Sequence, residues 1–77
     1  MSFELHNCVA LNRDLPERGL KSGDLGAVVH VYDTEAFEVE FVTPSGETAA
    51  LLTLHASDLR SVDDGDVLAV RRLDKSA

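Results

Sequence analysis

Between Ala36 and Val42 apolar and acidic residues alternate strictly: Phe37, Val39 and Phe41 fall on one parity, Glu38 and Glu40 on the other. A period of two is that of a strand with one buried and one solvated face. Shorter apolar runs surround it. "CVAL", Cys8 to Leu11, reads as a first strand, Gly26 to Tyr32 as a second, and Thr48 to Leu54 as a fourth with Leu52 and Leu54 on one face and Leu51 on the other. Turn formers separate them. "DTE", Asp33 to Glu35, is a tight turn, and "TPSGE", Thr43 to Glu47, is a hairpin turn in which Gly46 supplies a positive φ. "NRDLPERGLKSGD", Asn12 to Asp24, holds turn formers that break any helix and reads as a long loop or ribbon, with room for one brief helical turn at Pro16 to Arg18 and with Leu15 and Leu20 tucked beneath it.

After the fourth strand, Ser57 or Asp58 can start a single helical turn by capping free N–H groups. The last strand then lies in either Arg60 to Val62 or Val67 to Arg71, with "DDGD" as the turn between them. One strand, a long loop, three tightly joined strands, a helical turn and a final strand describe a small five-stranded SH3-like barrel, whose closure would remove the exposed edges of so small a sheet. The expected core is Val9, Leu11, Leu20, Val29, Val31, Phe37, Val39, Phe41, Leu52, Leu54 and Leu59, and alternation suggests that Cys8 is buried as a small apolar side chain.

Size and charge narrow what such a domain can do. Its 77 residues make one domain. Folding at this size buries only about 60% of the unfolded surface, which leaves little core from which to enclose a deep substrate cavity. Acidic residues outnumber basic ones fourteen to seven, for a net charge of −7. Nucleic acids and anionic membranes require the opposite balance, so both are disfavoured and a basic partner is favoured. A single cysteine excludes an internal disulfide. No signal peptide or spanning segment is visible, and the expected compartment is the cytoplasm.

Taken together, "DLPERGLKSGDLGAVVHVY", "EAFEVEFV", "GETAALLTL" and "DLR" resemble an uncharacterised bacterial family of very short proteins, the domain of unknown function numbered four-nine-two-six. The resemblance runs from about Phe3 to Arg60 and leaves "SVDDGDVLAVRRLDKSA" outside. It implies an SH3-like barrel and no established activity. More distantly, "GDLGAVVHV" is similar to the glycine-containing KOW-type segment of ribosome- and transcription-associated barrels, and to barrel segments of the nitrile hydratase beta subunit.

The glycines of "KSGDLGAVVHVY" invite a phosphate-binding reading. A P-loop needs GK[ST] after four spacer residues, which is missing, and a dinucleotide fingerprint needs a strand before and a helix after. A GxxG clamp would place Asp24 against the phosphate. Gly23 and Gly26 therefore read as backbone geometry: a positive φ or a close approach at the entry to a strand. His6 and Cys8 share a parity but lack further ligands in tight pairs, so no metal is expected, nor any cofactor. Asp63, Asp64 and Asp66 lack the spacing of a calcium loop. With no Trp and one Tyr, a proline-peptide groove is also disfavoured.

What remains is a non-enzymatic module that binds another protein with a basic surface, as an antitoxin or immunity protein does. The candidate contact set is Asp33, Glu35, Glu38, Glu40 and Glu47. The C-terminal strand, Val67 to Arg71, offers a route to a homodimer. The alternative is a KOW-like RNA- or ribosome-associated module, which would use Arg13, Arg18 and Lys21 in the long loop. There the acids Asp14, Glu17 and Asp24 interrupt the basic residues, and no aromatic is placed to stack a base.

Overall fold

In the computed structural model, which describes residues 3–73, the alternating segment becomes β3, Ala36–Val42. It is an interior strand of a five-stranded antiparallel sheet with β1 Cys8–Leu11, β2 Leu25–Val31, β4 Thr48–His55 and β5 Leu59–Ser61. Single 3₁₀ turns at Pro16–Arg18 and Ala56–Asp58 are the only helical elements among the described residues. The protein is thus all-β, with the expected long first loop and short helical turn before the last strand.

The sheet order is β4-β3-β2-β1-β5. Among the described residues no ladder joins β4 to β5, so hydrogen bonds do not close the expected barrel. β5 is three residues long and pairs with β1 through Val9 to Ser61, Ala10 to Arg60 and Leu11 to Leu59. Val67 to Arg71, the other place considered for the last strand, lies in no strand.

One core fills one side of the sheet, where Val9, Leu11, Val28, Phe37 and Val39 are the largest fully enclosed side chains. Leu15 and Leu20 join it from the long loop. They form an isolated two-residue bridge around the first 3₁₀ turn, and Gly19 at φ 70° lets the chain double back. Phe3 adds an edge-to-face contact with Phe37 at 5.5 Å between ring centroids. No strand pattern marks Phe3. It is held inward because the turn before β1 hooks onto β2, the His6 N–H donating to the Val28 carbonyl at 2.7 Å and the Val28 N–H to the Asn7 carbonyl at 2.9 Å.

Three expectations about side chains are corrected. Val29 and Val31 are exposed, and Val28 is the buried apolar side chain of β2. The cause is a bulge: Val28 pairs with Val39 and His30 with Glu38, so Val29 is an extra residue with no partner. Val31 does lie opposite Phe37, but at the end of the ladder, where little covers it. Cys8 is exposed, because the inward parity of β1 is taken by Val9 and Leu11. The helical turn after β4 is capped by His55 rather than by Ser57 or Asp58. The His55 ring accepts from the Ser57 N–H, and the Asp58 carboxylate reaches back to the His55 N–H at 3.0 Å.

The two glycines that invited a phosphate reading have distinct structural tasks. Gly23 has φ 94° in the turn into β2, where its N–H donates to the Leu11 carbonyl at 2.8 Å. Gly26 has no positive φ. It lets β2 press against β3: a Cβ there would meet Val39 Cγ1 at 2.7 Å, Phe41 Cε2 at 2.9 Å and the Glu40 carbonyl oxygen at 3.0 Å.

Candidate interaction face

The side of β2, β3 and β4 away from the core carries two of the candidate acids. With Phe37, Val39 and Phe41 committed to the core, Glu38 and Glu40 emerge together on the opposite side, each half-buried. Pairing decides their neighbours. Glu38 lies between His30 on β2 and Thr53 on β4, and Glu40 between Ala27 and Leu51. Glu38 Oε1 accepts from the Thr53 hydroxyl at 2.7 Å and from the Tyr32 phenol at 3.0 Å. Glu40 Oε2 accepts from the Thr48 hydroxyl at 2.6 Å. The His30 and Tyr32 rings meet edge to face at 4.6 Å, and Leu51, opposite Glu40 on β4, is exposed.

Two carboxylates are therefore held in fixed positions by neutral hydroxyls. A hydroxyl steers a carboxylate without neutralising it, so the negative charge stays available. An aromatic pair and an apolar side chain flank it. Long cationic side chains suit such a surface, because an ammonium or guanidinium can reach the carboxylates while its apolar stem lies along the rings.

The other sequence-selected acids lie apart from this pair. Asp33 and Glu35 occupy the turn before β3, and Glu47 the turn after it. These turns sit at opposite ends of a seven-residue strand, about 20 Å apart at ~3.4 Å per residue. Asp33 Oδ1 accepts from the N–H groups of Glu35 at 2.7 Å and Ala36 at 2.9 Å, so it shapes its own turn. The Glu35 carbonyl accepts from the Ala56 N–H, tying that turn to the second 3₁₀ turn. Glu47 accepts from the Ser45 hydroxyl at 3.3 Å. His30, Tyr32, Thr48 and Thr53 were absent from the sequence-selected set. Alternation alone puts His30 and Tyr32 outside. Placing the threonines beside the glutamates also needs the β3–β4 register.

The basic residues of the long loop do not gather into one patch. Arg13 pairs with Asp58, Nε to Oδ1 at 2.7 Å, and this contact raises its pKa first through the hydrogen bond and then through the charge. Partial burial pushes the Asp58 carboxyl up, but the Arg13 hydrogen bond and the His55 N–H outweigh it, leaving the group below its ordinary range. Arg18 and Lys21 are exposed at the rim of a shallow depression that also holds Asp14, Glu17 and Arg71. Arg71 reaches back across the loop: its Nε donates to Asp24 Oδ1 at 2.8 Å and its Nη2 to the Gly19 carbonyl at 2.8 Å. Burial raises the Asp24 pKa, but the Arg71 hydrogen bonds and the Lys21 N–H more than offset it, so the net shift is downward.

Among the described residues no three His, Cys, Asp or Glu side chains converge as metal ligands, and no helix is long and apolar enough to cross a membrane. Neither the curated proteins nor the solved structures yield a match to the chain. A family model does match over residues 5–61, from the turn before β1 to the end of β5 and including the whole acidic face; the chain belongs to the family described as Domain of unknown function (DUF4926).

Proposed function

We propose that the chain is a non-enzymatic interaction module whose β2–β3–β4 face, opposite the core, binds a basic surface of another protein. The observation that carries this reading is the pair Glu38 and Glu40, fixed by Thr53, Tyr32 and Thr48 beside the His30–Tyr32 rings. Pre-positioned carboxylates lower the ordering cost of binding, and the net charge of −7 steers a basic partner toward them. An antitoxin- or immunity-like role, neutralising one dedicated basic protein, fits this design. An RNA-binding role through Arg13, Arg18 and Lys21 draws less support, since Arg13 is engaged with Asp58 and three acids line the same loop.

The test compares the native protein with Glu38→Gln/Glu40→Gln, which keeps shape and removes two charges. In pull-downs from native lysate at rising salt, the native protein should retain a basic partner that salt releases. The double variant should bind that partner roughly tenfold more weakly in calorimetry with purified components, as expected for lost charge-assisted contacts. A complex indifferent to both salt and the double substitution refutes the acidic-face reading. Retention of single-stranded RNA on filters at low salt would replace it with the RNA one.

A further inference from the structure

We propose that Asp66 to Arg72 is a self-pairing strand that joins two copies of the chain antiparallel about Ala69. Three large apolar side chains stand in water within four residues: Val67 is 92% exposed, Leu68 66% and Val70 95%. The segment is nonetheless held in place. Arg71 anchors it to Asp24 and to the Gly19 carbonyl, and Ala69, Val70 and Leu73 line a groove of about 350 Å³ together with Leu25, Phe41 and Val42. Among the described residues its backbone makes no ladder; the last backbone bond runs from the Asp66 N–H to the Asp63 carbonyl. A positioned segment with exposed β-branched residues, no proline or charge from Val67 to Val70, and, among the described residues, no hydrogen bond on the backbone groups of Val67 to Arg71 lacks the usual protections of an edge.

The order of charges selects a second copy as the occupant. The segment reads Asp66-Val67-Leu68-Ala69-Val70-Arg71-Arg72, acidic at its start and basic at its end. A two-fold antiparallel pairing about Ala69 sets Asp66, whose Oδ2 accepts from the Asp63 N–H and lies 3.7 Å from Arg60 in its own chain, against Arg72 of the other copy, twice by symmetry. It also sets Leu68 against Val70, and Val67 against the apolar stem of Arg71, whose guanidinium stays on its own Asp24. A parallel pairing would oppose acid to acid and base to base. The contact is small, so the dimer should be weak, with the anchors on two folded bodies supplying the order that a lone two-stranded ribbon lacks.

Sedimentation equilibrium from about 10 µM to about 1 mM tests this, a range suited to a contact below the standard interface size. The native protein should pass from monomer to dimer. Arg72→Asp should weaken the dimer about tenfold by turning two attractions into repulsions, and Leu68→Lys should weaken it at least as much. Asp66→Arg combined with Arg72→Asp should recover a tighter dimer than either single substitution, the Asp66→Arg variant serving as the reference for the lost Asp63 and Arg60 contacts, with circular dichroism confirming that each variant is folded. A native protein monomeric throughout overturns the proposal, as does a dimer unmoved by Arg72→Asp and Leu68→Lys, which would place the contact elsewhere, such as on the β4 edge. A folded double variant that fails to recover overturns the register.

Discussion

Gly23 and Gly26 lie three residues apart and resist substitution for opposite reasons. At Gly26 the backbone is ordinary and the space is missing, since Val39, Phe41 and the Glu40 carbonyl already occupy it. At Gly23 the space is open and φ is 94°. Gly26→Ala should cost about 1–3 kcal/mol, as overpacking does. Gly23→Ala should cost about 1–2 kcal/mol, the strain of the left-handed region. Asparagine separates the two. It tolerates positive φ, so Gly23→Asn should be milder than Gly23→Ala, whereas Gly26→Asn should be worse than Gly26→Ala because it is larger. Denaturant midpoints at constant m-value would check the order, and reversal at either position would show that its stated cause is wrong.

At the scale of elements, β3 was legible because every second residue is apolar and each neighbouring turn contains a proper breaker. β2 was legible in extent but not in facing. Strict alternation puts Val29 and Val31 inside, and the bulge at Val29 shifts the parity so that Val28 is enclosed instead. Four apolar residues nearly in a row leave two registers open, and only the partner strand chooses. The β3–β4 hairpin conceals the same device. Val42 pairs with Thr48 but Phe41 with Ala50, so the strand slips by one residue just beyond the turn. Without that slip Glu38 would face Leu52, and a carboxylate would share a face with the core. The acids of the candidate face could therefore be read from the pattern, but the placing of Thr53 opposite Glu38 depended on this bulge. The second 3₁₀ turn was expected, though its cap was misplaced by two or three residues. Histidine is an uncommon cap, and Asp58 acts backward from the third position. Asp58→Ala should cost about 1 kcal/mol in thermal or denaturant unfolding, the usual value of a lost cap. Arg13→Ala should cost clearly less, since Arg13 is more than half exposed and water replaces its contact. Equal losses would mean that the ion pair, not the cap, carries the stability.

Over the whole molecule, two carboxylates tie together parts of the chain far apart in sequence. Asp58 holds Arg13 across 45 residues, and Asp24 holds Arg71 across 47. Both acids are depressed in the folded state, so in acid the unfolded chain binds their protons first. The stability they contribute is complete above the ordinary carboxylate range and disappears as pH falls through their lower folded values. For these groups the loss begins at about pH 4, near the unfolded pKa of aspartate. A bare pH–stability curve would not isolate it, because the chain carries fourteen acids against seven bases and acid also relieves their mutual repulsion. The difference between the native protein and Asp24→Asn does isolate it, since the repulsion is nearly common to both. Asparagine keeps an acceptor oxygen but loses the charge that holds Arg71. Melting temperatures should therefore differ by a constant amount from neutral pH to about 5, with the native protein the more stable, and the two curves should converge in acid, below the ordinary aspartate range, as Asp24 takes up its proton. A gap that stays constant through that range would mean that Asp24 keeps the C-terminal segment in place by shape and hydrogen bonding, with no contribution from its charge.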